Sequence, residues 1–218
     1  MTSKLEPEEH YDQSYFNSQW KGSQIGSKIN KTHFLPHLHN AKTVIDFGCG
    51  GGFLLSELNV DRAIGIEINE SAHDMAETLG IEVHKVLDTV EPEIADAIIS
   101  NHALEHVSDP LGTLRGLHSK LKSGGRIVIA VPSDKANTKF KENDRDFHLF
   151  SWSANNIGNL LTAAGFEVLD ARHSSLRWPP KMQLIYDTFG EHAVFLAGRL
   201  FGLLPHKRTQ VVAVALKR

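Results

Sequence analysis

The chain has 218 residues, which is enough for one domain with a substantial core and room for one added element. Its 41% hydrophobic and 22% charged residues exclude a disordered chain, and a net charge of -3 gives no basic footprint for nucleic acid. The single cysteine, Cys49, excludes an internal disulfide. The polar first ten residues and the lack of an apolar run of about 18 residues predict a cytoplasmic protein without a transmembrane span.

Residues 1–40 are predicted to form an N-terminal helical cap on a single domain that takes in the whole of residues 1–218. Aromatic residues concentrate at 11–20, which favours an amphipathic helix that lies on the core. The alternative is a lid over a ligand cleft, with Tyr11, Tyr15 or Trp20 facing the reacting group. A further helix is predicted from about residue 23 to residue 38.

A glycine-rich turn follows the first predicted strand. The β-branched run at 43–45 favours a buried strand, residues 53–58 predict a helix, and Gly48, Gly50 and Gly52 lie between them. The turn departs from the dinucleotide fingerprint, because Phe53 stands where that fingerprint needs a glycine or an alanine. Asp46 would repel a pyrophosphate and attract a cation. The loop therefore suits S-adenosylmethionine, which carries an ammonium and no phosphate, better than NAD. A tight turn without a ligand is the alternative.

An acidic residue ends the second predicted strand, residues 63–68. A carboxylate at the position of Glu67 can accept hydrogen bonds from both ribose hydroxyls, although a surface glutamate is the alternative. Asn69 is predicted to cap a helix that ends at Gly80. A short third strand at 81–84 then leads to Val86 and Leu87, where an adenine edge would lie.

The remaining elements continue the alternation of strands and helices. The predicted strands are 95–100, 126–132, 166–172 and 209–216; one helix starts at Asp109–Pro110 and ends at 123–125, and another is capped by Ser151 or Ser153 and ends at Gly165. This order predicts an α/β fold with a doubly wound, mostly parallel sheet and helices on both faces.

Residues 176–208 form a predicted helical insertion before the last strand. Its apolar residues recur at helical spacing, and basic residues flank it, namely Arg177, Lys181, Lys207 and Arg208. A lid or a homodimer contact is favoured over peripheral contact with a membrane surface.

Together these motifs resemble the class I S-adenosylmethionine-dependent methyltransferases. The resemblance covers about 43–166 and rests on the 46–52 loop, Glu67, the segment 104–107 and the segment 121–126, in that order. It implies seven strands in the order 3-2-1-4-5-7-6, with the last strand antiparallel. It also implies S-adenosylmethionine as cofactor and a set of cofactor-binding residues: Asp46, Gly48, Cys49, Gly50, Gly52, Glu67, Ile68, Val86, Leu87, Asn101 and His102.

A closer resemblance is to the ubiquinone-type O-methyltransferases, whose Glu-x-x-Glu-His segment is associated with a divalent ion. Here the corresponding positions are His102, Glu105 and His106, and histidine replaces the first glutamate. We therefore predict that no metal is required. A structural role for the Leu-Glu-His segment is the alternative to a catalytic one.

The predicted reaction transfers a methyl group to a small-molecule acceptor, at a hydroxyl oxygen. Such an acceptor needs a base, and histidine suits that role because its pKa lies near neutrality. The candidates are His106, near the cofactor by resemblance, and His148, in the loop after the fifth strand. The alternatives are a cofactor-binding protein without turnover, a methyltransferase acting on nitrogen or on a protein, and a nicotinamide-dependent reductase, against which Asp46 and Phe53 argue.

Overall fold

The computed structural model describes residues 13–134, 138–142, 146–174, 176, 178–204 and 209–218. Seven strands form one sheet: β1 Thr43–Phe47, β2 Arg62–Ile66, β3 Glu82–His84, β4 Ala95–Asn101, β5 Leu121–Ser133, β6 Glu167–Ser174 and β7 Thr209–Leu216. The strand order is β3-β2-β1-β4-β5-β7-β6. The neighbouring strands β3, β2, β1, β4 and β5 pair in parallel. Strand β7 lies between β5 and β6 and is antiparallel to both. The predicted sheet order and the single antiparallel strand are confirmed.

The described residues contain six α-helices: α1 Gln13–Phe34, α2 Phe53–Ser56, α3 Glu70–Thr78, α4 Pro110–Lys120, α5 Ala154–Ala163 and α6 Met182–Gly202. The predicted caps of three of them are present. Asn69 accepts a hydrogen bond from the Ser71 N–H, and Asp109 accepts one from the Gly112 N–H. At α5 the choice falls on Ser153, which forms a reciprocal capping box with Asn156.

Three boundaries differ from the predictions. The two predicted N-terminal helices are one continuous helix, α1. The helix after the glycine turn is shorter than predicted and ends at Ser56. Helix α4 ends at Lys120, because Leu121 already lies in β5, and the turn at Gly124, with φ of 79°, falls inside that strand.

The sheet has an apolar cluster on each face, and a third cluster joins α1 to the insertion. One face includes Ile45, Ile98 and Ile127, and the other includes Val44, Ile99 and Val128. These are alternate residues of β1, β4 and β5, which is why the strands are apolar without interruption. The third cluster contains Ile25, Ile29, Leu176 and Val194.

Helix α6 occupies most of the predicted insertion and is kinked at Gly190. Several large apolar side chains of α6 are exposed, namely Leu184, Phe189, Leu196 and Leu200, and so is Leu203 directly after the helix. Within the described residues, no helix has the length and hydropathy needed to cross a bilayer. Arg177, Lys207 and Arg208 lie outside the described residues, as does Tyr11, and the description does not extend to the side chains of Tyr15 and Trp20.

Candidate active site

A cavity of about 600 Å³ opens at the carboxyl ends of β1, β2 and β4. Ligands bind at this edge of open α/β sheets, where the strand order reverses beside β1. Ten of its lining residues were predicted from the sequence: Asp46, Gly48, Cys49, Gly50, Glu67, Ile68, Asn101, His102, His106 and His148. The volume is ordinary for a small-molecule site.

The glycine turn adopts backbone conformations that other residues rarely accept. Gly48 has φ of 77°, and a Cβ atom there would lie 2.3 Å from the Cβ of Ala103. The N–H groups of Gly48 and Cys49 both donate to the carbonyl of Ile66, so the turn is tied to β2. Gly50 has φ of 52° and no atom within 4 Å of a Cβ built on it, so its open side faces the cavity.

Asp46 places a buried carboxyl group at the cavity wall. It is only 2% exposed, and its Oδ1 has no hydrogen-bond partner among the described residues. Burial, with a contribution from the charge of Glu67, raises the pKa of Asp46 to about 8. Oδ1 therefore lacks the partner that a buried carboxylate needs, and an ammonium group in the cavity would supply it.

Glu67 follows β2 and braces the glycine turn. Its Oε2 accepts a hydrogen bond from the Gly50 N–H at 2.8 Å, and its Oε1 accepts one from the Asn69 N–H at 2.8 Å. Burial raises the pKa of Glu67 against the opposing effect of these two bonds. Each oxygen keeps a further acceptor position, which suits the paired hydroxyls of a ribose.

Cys49 is buried inside the turn and has no features of a nucleophile. Its thiol donates to the carbonyl of Gly50 and packs over Gly65. Burial, together with the charges of Asp46 and Glu67, raises the pKa of the Cys49 thiol well above its usual value. The thiol stays protonated near neutral pH, which agrees with a small residue beside a ligand.

Three residues of the predicted cofactor set do not line the cavity. Gly52 begins α2, and a Cβ there would meet Ile81 at 2.3 Å, so its glycine serves packing. Leu87 packs on the main core, with its side chain close to Gly116 of α4. Val86 is 48% exposed. Only Val86 and Leu87 of these three were expected beside the adenine. Ile68, which is 40% exposed, is an apolar side chain that does line the cavity.

The tip of β4 carries the polar end of the cavity. Asn101 Oδ1 is buried without a hydrogen-bond partner among the described residues. His102 has a left-handed backbone, with φ of 58°, and its N–H donates to Ala130 at 2.8 Å. Desolvation opposes a charge on the His102 ring, but Glu105 and Gln210 outweigh it and raise the pKa of His102.

Glu105 lies at the centre of three histidines. Its side chain is fully buried, and Oε1 is 3.3 Å from His102 Nδ1, 3.8 Å from His106 Nε2 and 4.0 Å from His148 Nε2. The rings of His106 and His148 meet edge to face with centroids 5.0 Å apart. Burial, assisted by the neighbouring His148, lowers the pKa of His106, which keeps that ring neutral at pH 7.

Glu105, His106 and His148 could also hold a metal ion. Each offers one ligand atom, and these atoms lie within 4.8 Å of one another. The prediction that no metal is required stays untested.

The opposite wall comes from residues that the sequence did not single out as site residues. Ser23, Ser27 and Asn30 of α1 line it together with Leu176 and Trp178. The Trp178 indole lies against α1 at Gly22 and Gly26, where a Cβ would be 3.2 Å and 2.0 Å from ring carbons. Two sequence signals pointed to this wall, namely the predicted lid at residues 176–208 and the spacing of the two glycines with serines beside them on one helix face.

The comparisons with known proteins agree with this geometry. Residues 22–171, more than half of the chain, match the family described as "Methyltransferase domain". The chain belongs to this methyltransferase family. The predicted recognition as a class I S-adenosylmethionine-dependent methyltransferase is confirmed, and S-adenosylmethionine is the cofactor that fits the cavity, since Asp46, Glu67 and the open face of Gly50 meet its chemistry.

Curated relatives match part of the chain. The "Ubiquinone biosynthesis O-methyltransferase" of Aliivibrio fischeri (strain ATCC 700601 / ES114) is 31% identical over 102 residues, which are 41% of this chain and 44% of the relative. The protein of the same name from Serratia proteamaculans (strain 568) is 33% identical over 102 residues, with 41% and 42% covered. The chain thus spans less than half of the length of these relatives.

Solved structures share the fold over nearly the whole chain. The 1,6-didemethyltoxoflavin-N1-methyltransferase of Burkholderia thailandensis, with S-adenosylhomocysteine bound, has a TM-score of 0.66 at 18% identity and covers 94% of this chain and 84% of its own. A "possible histamine N-methyltransferase" of Thermotoga maritima has a TM-score of 0.64 at 16% identity, with 93% and 96% covered. At such identities the likeness concerns the fold alone.

Proposed function

We propose that the protein transfers the methyl group of S-adenosylmethionine to a hydroxyl oxygen of a small molecule. The observation that carries the oxygen acceptor is the pair of His106 and His148 on the cavity wall beside the buried Glu105. The lowered pKa of His106 leaves its ring able to accept a proton at pH 7. The two O-methyltransferase relatives support the same acceptor.

The cofactor contacts are proposed from the unsatisfied groups of the cavity. Asp46 Oδ1 would pair with the ammonium of the methionine part, and Glu67 would accept hydrogen bonds from the ribose hydroxyls. The part of the cofactor between these two groups would lie against the open side of Gly50. Asn101 and His102, which also line the cavity, would lie at the methionyl end. When bound, S-adenosylmethionine supplies a methyl group already activated by its sulfonium.

The protein contributes position, exclusion of water and a proton acceptor. The His106 ring takes the hydroxyl proton, with His148 as the second candidate for the same role. Glu105, with Oε1 3.8 Å from His106 Nε2, stabilises the imidazolium that results. The attraction between the Glu105 carboxylate and the imidazolium is strong because both groups lie in surroundings of low dielectric constant.

A labelled-methyl screen tests the proposal. The purified protein is incubated with S-adenosylmethionine carrying a labelled methyl group and a panel of phenols, catechols, primary alcohols and amines. We expect label on hydroxyl compounds.

Substitution of the two histidines tests the base. His106→Gln or His148→Gln is expected to lower kcat by about 10²–10⁴-fold while the affinity for the cofactor is kept. His192→Gln, at an exposed histidine of α6, is the matched control. Unchanged turnover in both variants removes the assignment of the base.

Other outcomes of the screen belong to other functions. Label on amines alone would favour a nitrogen acceptor, as in the names of the two fold neighbours. Label on protein would favour a protein acceptor. Binding of S-adenosylhomocysteine without any labelled product would favour a binding protein without turnover. Turnover that survives EDTA is expected, and its loss with recovery on adding a divalent ion would assign a metal to Glu105, His106 and His148.

Residues 176–208 are proposed to act mainly as a lid. Leu176 and Trp178 line the cavity, and α6 packs on α1 through Val194. A homodimer or a membrane-surface contact through the exposed apolar side chains of α6 is the alternative, and no nucleic acid is expected as a partner. Sedimentation and vesicle flotation of the purified protein separate the alternatives.

A further inference from the structure

The side-chain amide of Gln210 on β7 connects α1 to the tip of β4. Its Nε2 lies 2.8 Å from Nε2 of His33 on α1, and its Oε1 lies 3.0 Å from Nε2 of His102. Gln210 and His102 both line the cavity, whereas His33 stands behind them and is half-buried. These contacts join a helix, an interior strand and a strand tip at one point.

The protonation state of His33 decides which way the amide lies. Burial, with smaller effects of His102 and Arg172, lowers the pKa of His33 to about 4, so the ring is neutral at pH 7. The Nε2 of His33 can then accept a hydrogen bond from the amide N–H of Gln210. The amide oxygen consequently faces His102 and accepts a hydrogen bond from its Nε2–H.

We propose that Gln210 is a positioning residue which, with His33, holds the His102 imidazole in one orientation with a proton on Nε2. The other edge of the ring faces Glu105, with 3.3 Å between Nδ1 and Oε1. The left-handed backbone of His102 and its N–H bond to Ala130 limit the ring further. The Nε2 edge of the imidazole is therefore hydrogen-bonded to Gln210, and the Nδ1 edge lies against the buried Glu105, before any acceptor enters.

An imidazole that cannot turn offers an acceptor a single pose, and productive geometry at the reacting atoms depends on such constraints. Helix α1 thereby takes part in the site through His33, although it lies at the other end of the sequence from β7. This consequence for the acceptor rests on the proposed function, whereas the hydrogen-bonded chain itself does not.

Histidine side-chain NMR on the uniformly ¹⁵N-labelled protein, without any ligand, tests the proposal. Long-range ¹H–¹⁵N spectra distinguish a protonated ring nitrogen from an unprotonated one, and His102→Gln and His33→Gln assign the signals. We expect wild type to show a protonated Nε2 on His102. In Gln210→Leu the Nε2 of His102 loses its acceptor, so the proton should move to Nδ1, which faces Glu105, and the His33 signals should shift as well. Gln183→Leu, at an exposed glutamine of α6, should leave both rings unchanged.

A His102 pattern that is the same in Gln210→Leu and wild type overturns the proposal. Gln210→Glu covers the case in which the leucine variant fails to fold. It keeps an acceptor oxygen for His102 and places a carboxylate beside His33, so the His102 pattern should persist while the pKa of His33 rises by about one unit or more. An unmoved His33 titration would also overturn it.

Calorimetry with S-adenosylhomocysteine separates this proposal from the proposed function. Gln210→Leu leaves Asp46 and Glu67 untouched, so we expect the variant still to bind the compound and to lose less affinity than Asp46→Asn does. A protein that fails to bind the compound at all contradicts the proposed function and says nothing against the histidine chain. An altered His102 pattern with intact binding supports the role of Gln210 alone.

Discussion

Asp46 and Glu67 bring two carboxyl groups to the same end of the cavity, one at the tip of β1 and one just after β2. Burial and the charge of Glu67 together raise the pKa of Asp46 to about 8. The two groups repel each other as anions, and Asp46 Oδ1 has no partner among the described residues. An ammonium group beside Asp46 would supply the missing partner and favour the carboxylate form, which is the reason that we assign Asp46 to the ammonium of the cofactor.

Asp46→Asn should weaken the binding of S-adenosylhomocysteine by roughly 10- to 100-fold, because a charge-assisted hydrogen bond contributes about 1.5–3 kcal/mol. Calorimetry of both proteins measures this loss.

The binding of S-adenosylhomocysteine should also depend on pH. The ammonium prefers the carboxylate form of Asp46, and below pH 8 the carboxyl group of the free protein must lose its proton on binding. Wild-type affinity should therefore rise by up to about tenfold per pH unit between pH 6 and pH 8. Calorimetry in buffers of different ionisation enthalpy should detect a released proton, and the variant should release none from this group.

Methylthioadenosine is the matched ligand for that experiment, because it keeps the ribose and adenine but lacks the amino acid part. Its affinity should be unaffected by Asp46→Asn and reduced by Glu67→Gln. Equal losses for both ligands in the Asp46 variant would contradict the ammonium contact.

The free energy of unfolding of the ligand-free protein should carry the opposite signature. The pKa of Asp46 is raised in the folded state, so between about pH 4 and pH 8 the folded protein binds a proton that the unfolded chain has lost. This group therefore stabilises the fold at low pH, and its contribution is lost as the pH rises to 8. The free energy of unfolding of Asp46→Asn should therefore increase relative to that of wild type as the pH rises from about 4 to about 8. Urea unfolding of both proteins across this range measures the difference. A constant difference between them would refute the shifted pKa.

Gly48→Ala should destabilise the protein more than Gly80→Ala. Both glycines have φ near 78°, at 77° and 78°, so both variants incur the left-handed penalty of roughly 1–2 kcal/mol. Only at Gly48 would the new Cβ also overlap Ala103, at 2.3 Å, whereas at Gly80 nothing lies within 4 Å. Chemical denaturation measures both losses, and equal losses would show that the turn can relax away from Ala103.

Gly26→Ala should lower the free energy of unfolding by about 1–3 kcal/mol, because its Cβ would lie 2.0 Å from the Trp178 ring. In a Trp178→Ala background the same change should be neutral or stabilising by up to about 1 kcal/mol, as alanine is the better helix former. A double-mutant cycle by urea unfolding gives the coupling. If the effects of Gly26→Ala and Trp178→Ala on the free energy of unfolding are additive, the indole can move away from α1 without destabilising the protein.

Local sequence patterns were enough to predict the sheet and the cofactor end of the site. The glycine spacing around Asp46, the cap at Asn69 and the pair Asp109–Pro110 each act over a few residues, so their geometry follows from backbone conformation and nearby hydrogen bonds. The alternation of strands and helices predicted a mostly parallel, doubly wound sheet, and the strand order came from the resemblance to class I methyltransferases. Two residues of the predicted cofactor set do not line the cavity, because Leu87 packs into the core and Gly52 packs against Ile81.

Tertiary packing decided the acceptor end. The sequence identified His106 and His148 separately as histidines near the site, but their shared contact with the buried Glu105 depends on how the loop after β5 folds back over the tip of β4. His33 and Gln210 are 177 residues apart, and their contact joins α1 to β7. The residue pattern of one chain encodes local conformation directly, whereas such distant contacts arise only when apolar faces have been buried together and the remaining polar groups must find partners there.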